Sequence, residues 1–339
     1  MTDVAALLDR FVARAARRRV GVVVGHLAPD GTTTYRAAGR TTLPDGPAPD
    51  VATRHEIGSI TKTFTGVLLA RAVVAGEVTL DTPVGELVDE VAGLGRDGVP
   101  VTLRHLATHT SGLPRVHLSA LGSTVDVLRG IDPYRDHTEP VLLEAIRTGR
   151  LRRTPGTGRQ AYSNSGFGLL GVALARRAGT PWADLVRDRI TRPLGLADTG
   201  TRGQATPEQR ARTATGHHRR RSAAVAWNLE ALPGAGALLS TARDQLDWAA
   251  AHLRPPADDL GAAIRRATAP HGPHVGLGWQ LAGESAAGDR VVWHSGGTGG
   301  FRSMLCLRPG RGDAVVALTN HSRSLTLATM RLLASTDGT

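Results

Sequence analysis

The sequence predicts an α/β (α+β) fold: an antiparallel sheet flanked by helices and built from both ends of the chain, with a mainly helical region inserted between them. Three observations carry this. Near the start, Val20–Leu27 and Thr32–Ala38 read as two strands around the turn at Pro29-Asp30-Gly31. Near the end, Arg290–Trp293, Ser303–Arg308 and Ala314–Thr319 read as strands separated by glycine-rich turns. Between them, segments such as Glu139–Arg147 and Ser165–Ala178 have helical spacing, with proline and glycine punctuation. Strands at both termini bury their apolar faces most simply in one sheet covered by helices. This order divides the chain into a discontinuous sheet domain, residues 1–80 with 236–339, and a helical insertion, residues 81–235.

An amphipathic helix near Val4–Arg18 precedes the first hairpin, and Thr326–Ala334 reads as a closing helix. No internal repeat or sustained heptad interrupts this order, and only His217–Arg221 and Arg254-Pro255-Pro256 resemble polar linkers. The 339 residues are 41% hydrophobic and 21% charged, within the globular range. No apolar run approaches the roughly 20 residues of a membrane span. The N-terminal stretch places Asp3, Asp9 and Arg10 among its apolar residues, unlike a secretory signal. Cys306 is the single cysteine, so no internal disulfide can form. Together these predict a cytoplasmic protein. The net charge of +11 raises nucleic acid as a partner, but the densest runs, Arg17–Arg19 and His217–Arg221, lack interleaved aromatic residues. Neither nucleic acid nor membrane is expected as a partner, and the oligomeric state is not legible.

The arginine bias makes one residue informative. Lys62 is the only lysine among the 41 Lys and Arg residues. A surface cation could be arginine anywhere, whereas an ammonium can be desolvated until it loses its proton near neutral pH and a guanidinium cannot. Lys62 lies three residues after Ser59, where Gly58 leads into the apolar run Phe64–Ala70. Residues three apart share a helix face, so Lys62 can take the Ser59 proton, and the helix N-terminus favours developing negative charge.

Two further motifs follow in order: Tyr162-Ser163-Asn164 and Trp293-His294-Ser295-Gly296-Gly297. With Ser59-x-x-Lys62 they make the chain resemble the class C β-lactamase-like serine hydrolases, which include esterases, D-amino-acid peptidases and acyltransferases. Leu106–Pro114, Arg192–Thr199 and Pro233–Ala242 also look like signatures of that family, so the resemblance runs from about residue 5 to about residue 333. It implies a β-lactamase/transpeptidase-like fold with Ser59 as nucleophile, Lys62 as base and Tyr162 as proton relay. It further implies that Asn164, His294, Ser295 and Gly296 bind substrate, and that the N–H groups of Ser59 and Gly297 form the oxyanion hole. His294 departs from the lysine of true β-lactamases, which weakens the case for a β-lactam carboxylate.

Other residues admit plainer readings. His217-His218 and His271 with His274 read as exposed loop histidines, because no matched Asp, Glu or Cys completes a metal pattern. Asp244 and Asp247 read as one solvated helix side, and His105 and His109 as structural hydrogen-bonding residues. Arg302 either meets an acidic substrate group or caps a turn. The predicted function is hydrolysis of an ester, thioester or amide of a small molecule through acyl-Ser59, without metal or organic cofactor. The partners are then a small-molecule acyl donor and, for a transferase, an acyl acceptor. An esterase or amidase ranks first, a biosynthetic acyltransferase second, and a β-lactamase or D-Ala peptidase third. A non-catalytic binding protein on the same fold is the alternative of another class.

Overall fold

The structure, a computed structural model, describes residues 3–116, 131–229, 231–283 and 290–336. Asp3 caps helix α1 (Val4–Ala16) by accepting the Ala6 N–H, and Leu8, Val12 and Ala15 form its buried stripe. Strands β1 (Gly21–Leu27) and β2 (Thr33–Gly39) follow as a hairpin, whose turn is held by Asp30 accepting the Thr32 N–H. The long helices come next: α2 (Thr61–Val74), α3 (Asn164–Ala178), α4 (Ala242–Leu253) and α5 (Asp259–Thr268). Four strands and a helix close the chain: β3 (Gln280–Ala282), β4 (Val291–Gly297), β5 (Arg302–Arg308), β6 (Asp313–Thr319) and α6 (Thr326–Ser335).

These strands make one antiparallel sheet in the order β2-β1-β6-β5-β4-β3. The first and last long strands lie side by side at its centre, with Val22 opposite Thr319 and Val24 opposite Ala317. Both are buried along their full length, because helices cover both faces. Successive side chains point to opposite faces, so Val22 and Val24 pack with Leu8 and Leu332 while Val23 packs with Phe64 and Trp248. The expected antiparallel sheet and flanking helices are therefore present.

Helix α2 is the central element. Every residue from Thr61 to Ala70 is buried, the pattern of a helix packed on all sides. Phe64 stacks on Trp248 of α4 at 4.2 Å, and the Trp248 indole donates to the Thr63 hydroxyl. A small sheet of His55–Glu56, Leu238–Ser240 and Gly200–Thr201 sits at the N-terminal side of α2 and joins its approach to the middle of the chain.

Two expectations are corrected here. Asp244 is buried rather than solvated: its carboxylate accepts the Asp198 N–H at 2.9 Å and the Thr199 hydroxyl at 2.8 Å, pinning that loop to α4. Asp247 is exposed as expected. His217 is also buried, because its backbone N–H meets the carbonyls of Gly300 and Asn320 and its Nε2 accepts the Leu43 N–H. His218 and His271 are half-buried and His274 is exposed. Among the described residues, no three His, Cys, Asp or Glu side chains converge as a metal site, and no helix is long and apolar enough to cross a membrane. Cys306 is buried in the sheet, and burial pushes its thiol up to about 12, so it stays protonated.

Candidate active site

Ser59 sits on a single 3-10 turn, Gly58–Ile60, that runs directly into α2. The approach of β4 defines this turn. Gly58 has φ +49°, a left-handed conformation, and a Cβ there would lie 2.5 Å from the Gly297 nitrogen. A Cβ on Gly296 would lie 1.8 Å from the Ile57 carbonyl oxygen, which also accepts the Ser303 hydroxyl at 2.7 Å. Glycine at these positions lets two backbones meet, so Ser59 and Gly297 share one cleft wall. Gly296→Ala is expected to push β4 off the turn, lowering stability by about 1–3 kcal/mol, the usual range for overpacking. Chemical denaturation of the variant checks this, and an unchanged midpoint would show that the contact is not required.

Lys62 is fully buried, with three neighbours around its Nζ: Ser59 Oγ at 3.0 Å, Asn164 Oδ1 at 2.9 Å and the Ala235 carbonyl at 2.6 Å. Burial, and after it the positive charge of Arg115, hold its pKa well below that of an ordinary lysine. A neutral amine has two hydrogens and one lone pair. Asn164 and Ala235 accept the hydrogens, which leaves the lone pair for the Ser59 hydroxyl.

Tyr162 lies beside this pair, with Lys62 Nζ 4.9 Å from its ring centroid. Burial pushes its hydroxyl up to about 12, against the pull of the Ser59 hydroxyl, so the phenol keeps its proton at neutral pH. The ring rests on His109 at 4.4 Å. His109 Nδ1 accepts the Ser163 N–H, and the Ser163 hydroxyl donates to the Pro114 carbonyl and caps α3. His105 completes a capping box with Thr102. Both histidines thus have the hydrogen-bonding roles expected of them.

His294 is buried, 6.2 Å from Tyr162 between ring centroids, and its Nδ1 bonds the Ser295 carbonyl. Burial first, and then the charge of Lys62, bring its pKa down to about 3. It is therefore neutral and offers a substrate no charge. Ser295 is half-buried, Gly296 is closed against Ile57, and Gly297 faces the cleft. Arg302 caps its turn, donating to the carbonyls of Thr298 and Phe301, both at 2.6 Å.

The motifs did not disclose several neighbours. Tyr134, Trp227, Leu229 and Leu232 line the same cleft as Ser59 and Gly297, with Tyr134 and Trp227 rings 5.3 Å apart. Trp227 and Leu229 also border an adjoining cavity of about 650 Å³ that reaches Trp182 and Arg202, within the size range of small-molecule sites. Tyr134 is one of only three tyrosines, the one available signal.

The family model for β-lactamase matches residues 4–335. The chain belongs to the β-lactamase family. This β-lactamase-family chain is 29% identical over 306 residues to the D-alanyl-D-alanine-carboxypeptidase/endopeptidase AmpH of Escherichia coli (strain K12), covering 85% of this chain and 76% of AmpH. It is 35% identical over 205 residues to Esterase EstB of Burkholderia gladioli, covering 58% of this chain and 52% of EstB. A Beta-lactamase of Escherichia coli (strain K12) is 27% identical over 306 residues, 79% of this chain and 75% of that enzyme. The crystal structure of a β-lactamase/D-alanine carboxypeptidase from Yersinia pestis complexed with citrate superposes with a TM-score of 0.75 at 24% identity. It covers 95% of this chain and 93% of its own, and shows the shared β-lactamase/transpeptidase fold. Membership of the β-lactamase family places the chain among the serine hydrolases.

Proposed function

We propose that this chain hydrolyses an ester or amide of a small molecule through an acyl-Ser59 intermediate. The observation that carries the reading is the Lys62 amine, fully buried, with two acceptors for its hydrogens and Ser59 Oγ 3.0 Å away. Ser59 Oγ attacks the carbonyl carbon as its proton passes to Lys62. The negative oxygen rests on the N–H groups of Ser59 and Gly297. Collapse breaks the bond to the leaving group, which takes a proton from Tyr162 while Lys62 returns one to the phenol. Water, deprotonated by the same route, then releases the acid and restores Ser59.

The likeness to EstB supports an esterase over a β-lactamase, and so does a neutral His294 on β4. The apolar wall of Tyr134, Trp227, Leu229 and Leu232 favours a second reading, transfer to an amine or alcohol, because it limits water at the acyl-enzyme. Steady-state assays of alkyl and p-nitrophenyl esters beside a chromogenic cephalosporin test the ranking, with alcohols and amines added as acceptors. Ester turnover without cephalosporin turnover fits the proposal, a new ester or amide product identifies transfer, and faster cephalosporin hydrolysis contradicts it.

Tyr162→Phe is expected to slow turnover of an alkyl ester about 100-fold, as for loss of a proton relay. The loss should be smaller for p-nitrophenyl esters, whose leaving group departs as an anion. Equal losses on both substrates would remove Tyr162 from leaving-group protonation.

A further inference from the structure

We infer that Arg115, with Tyr134 beside it, forms a carboxylate-binding subsite on the Tyr162 wall of the cleft, so that preferred substrates carry a negative charge; this rests on the acyl-Ser59 reading.

On β4, His294 offers no charge, because it is buried with its Nδ1 on the Ser295 carbonyl. Arg302, the guanidinium next to Gly297, holds its own turn through Nη1, which donates to the carbonyls of Thr298 and Phe301. Arg115 approaches the site from the start of α3 and the Tyr162 ring. Its carbonyl accepts the Asn164 N–H at 2.8 Å, which fixes the residue to the start of α3, and its guanidinium carbon lies 5.3 Å from the Tyr162 ring centroid. The side chain is exposed and, among the described residues, pairs with no carboxylate. Its positive charge also lowers the pKa of Lys62 and opposes the burial that raises those of Tyr134 and Tyr162.

The acid on this wall, Asp132, already accepts the N–H groups of Tyr134 at 2.9 Å and Asn228 at 2.6 Å. With no carboxylate among the described residues paired to it, the Arg115 guanidinium offers a planar set of donors to a guest, and carboxylate is the group that matches that fork. Tyr134 adds a phenol and, with Trp227, an aromatic surface for the body of the same molecule.

The test uses two matched pairs of esters. One pair carries the charge on the acyl part: mono-p-nitrophenyl adipate against the p-nitrophenyl ester of adipamic acid. The other carries it on the leaving group: the butyryl ester of 4-hydroxybenzoate against that of 4-hydroxybenzamide. In at least one pair the wild type is expected to favour the carboxylate about tenfold in kcat/KM, through KM, as for about 1.4 kcal/mol of binding. Arg115→Gln should bring that ratio near one, and Arg115→Lys should keep part of it. The ratio cancels any effect of Arg115 on Lys62, which acts on both members of a pair. No preference in either pair, or a preference that survives Arg115→Gln, overturns the inference while acylation of Ser59 by these esters leaves the functional reading intact. If neither pair acylates Ser59, both fall.

Discussion

Replacing Lys62 with arginine is expected to slow acylation about 1,000-fold or more, although it preserves the formal charge, because a proton acceptor contributes roughly that much. The site is fully enclosed and its three neighbours fit an amine: Ser59 Oγ, Asn164 Oδ1 and the Ala235 carbonyl, all within 3.0 Å. A guanidinium is larger, has only donors and does not release a proton. Lys62→Met, with the charge and the base both absent, should be as inactive as the arginine variant. If the positive charge were what mattered, arginine would retain most of the activity and methionine none.

The same residue sets the pH dependence. Acylation needs the neutral amine, so the rate is present above the Lys62 pKa and is lost as pH falls through it. An ordinary lysine, protonated up to 10.5, would give a rate still rising through alkaline pH; the lowered value predicts a plateau reached well below pH 10.5. Pre-steady-state release of p-nitrophenol across pH measures this directly. A rate climbing steadily toward pH 10 would show that Lys62 remains an ammonium.

Ser59→Ala is expected to reduce turnover about 10,000-fold or more, the scale seen when a covalent nucleophile is removed. Folding should survive. The serine hydroxyl contributes one of the three contacts at Lys62 Nζ, and Asn164 and Ala235 still hold the amine in place. A melting temperature within a few degrees of wild type would separate lost chemistry from lost structure. Appreciable ester hydrolysis by this variant would mean that another group attacks, or that bound water does so directly.

Much of this arrangement was legible before the structure. Lys62 stood out because an arginine-rich chain holds one lysine, and its spacing from Ser59 is a local property of a helix. The sheet was legible for a similar reason, since β1, β5 and β6 are apolar runs bounded by turns. What could not be read depends on distant partners. Ala235 accepts from Lys62 through a backbone carbonyl, which leaves no mark on side-chain identity. Asp244 and His217 look solvated by residue type, yet each is buried by partners far away in the chain. The neutrality of His294 follows from burial beside Lys62, not from the His-Ser-Gly-Gly pattern. Tyr134 and Trp227 reach the cleft, and Arg115 the Tyr162 ring, from segments without regular structure, where periodicity carries no signal.

Intact-mass spectrometry after incubation with a fluorophosphonate and with p-nitrophenyl esters, using wild type and Ser59→Ala in parallel, tests the central claim most directly. One adduct per chain on the wild type, mapped to the peptide containing Ser59 and missing from the variant, is the predicted result. An adduct of equal yield on Ser59→Ala, or one mapped to another residue, would contradict the assignment of Ser59 as the nucleophile.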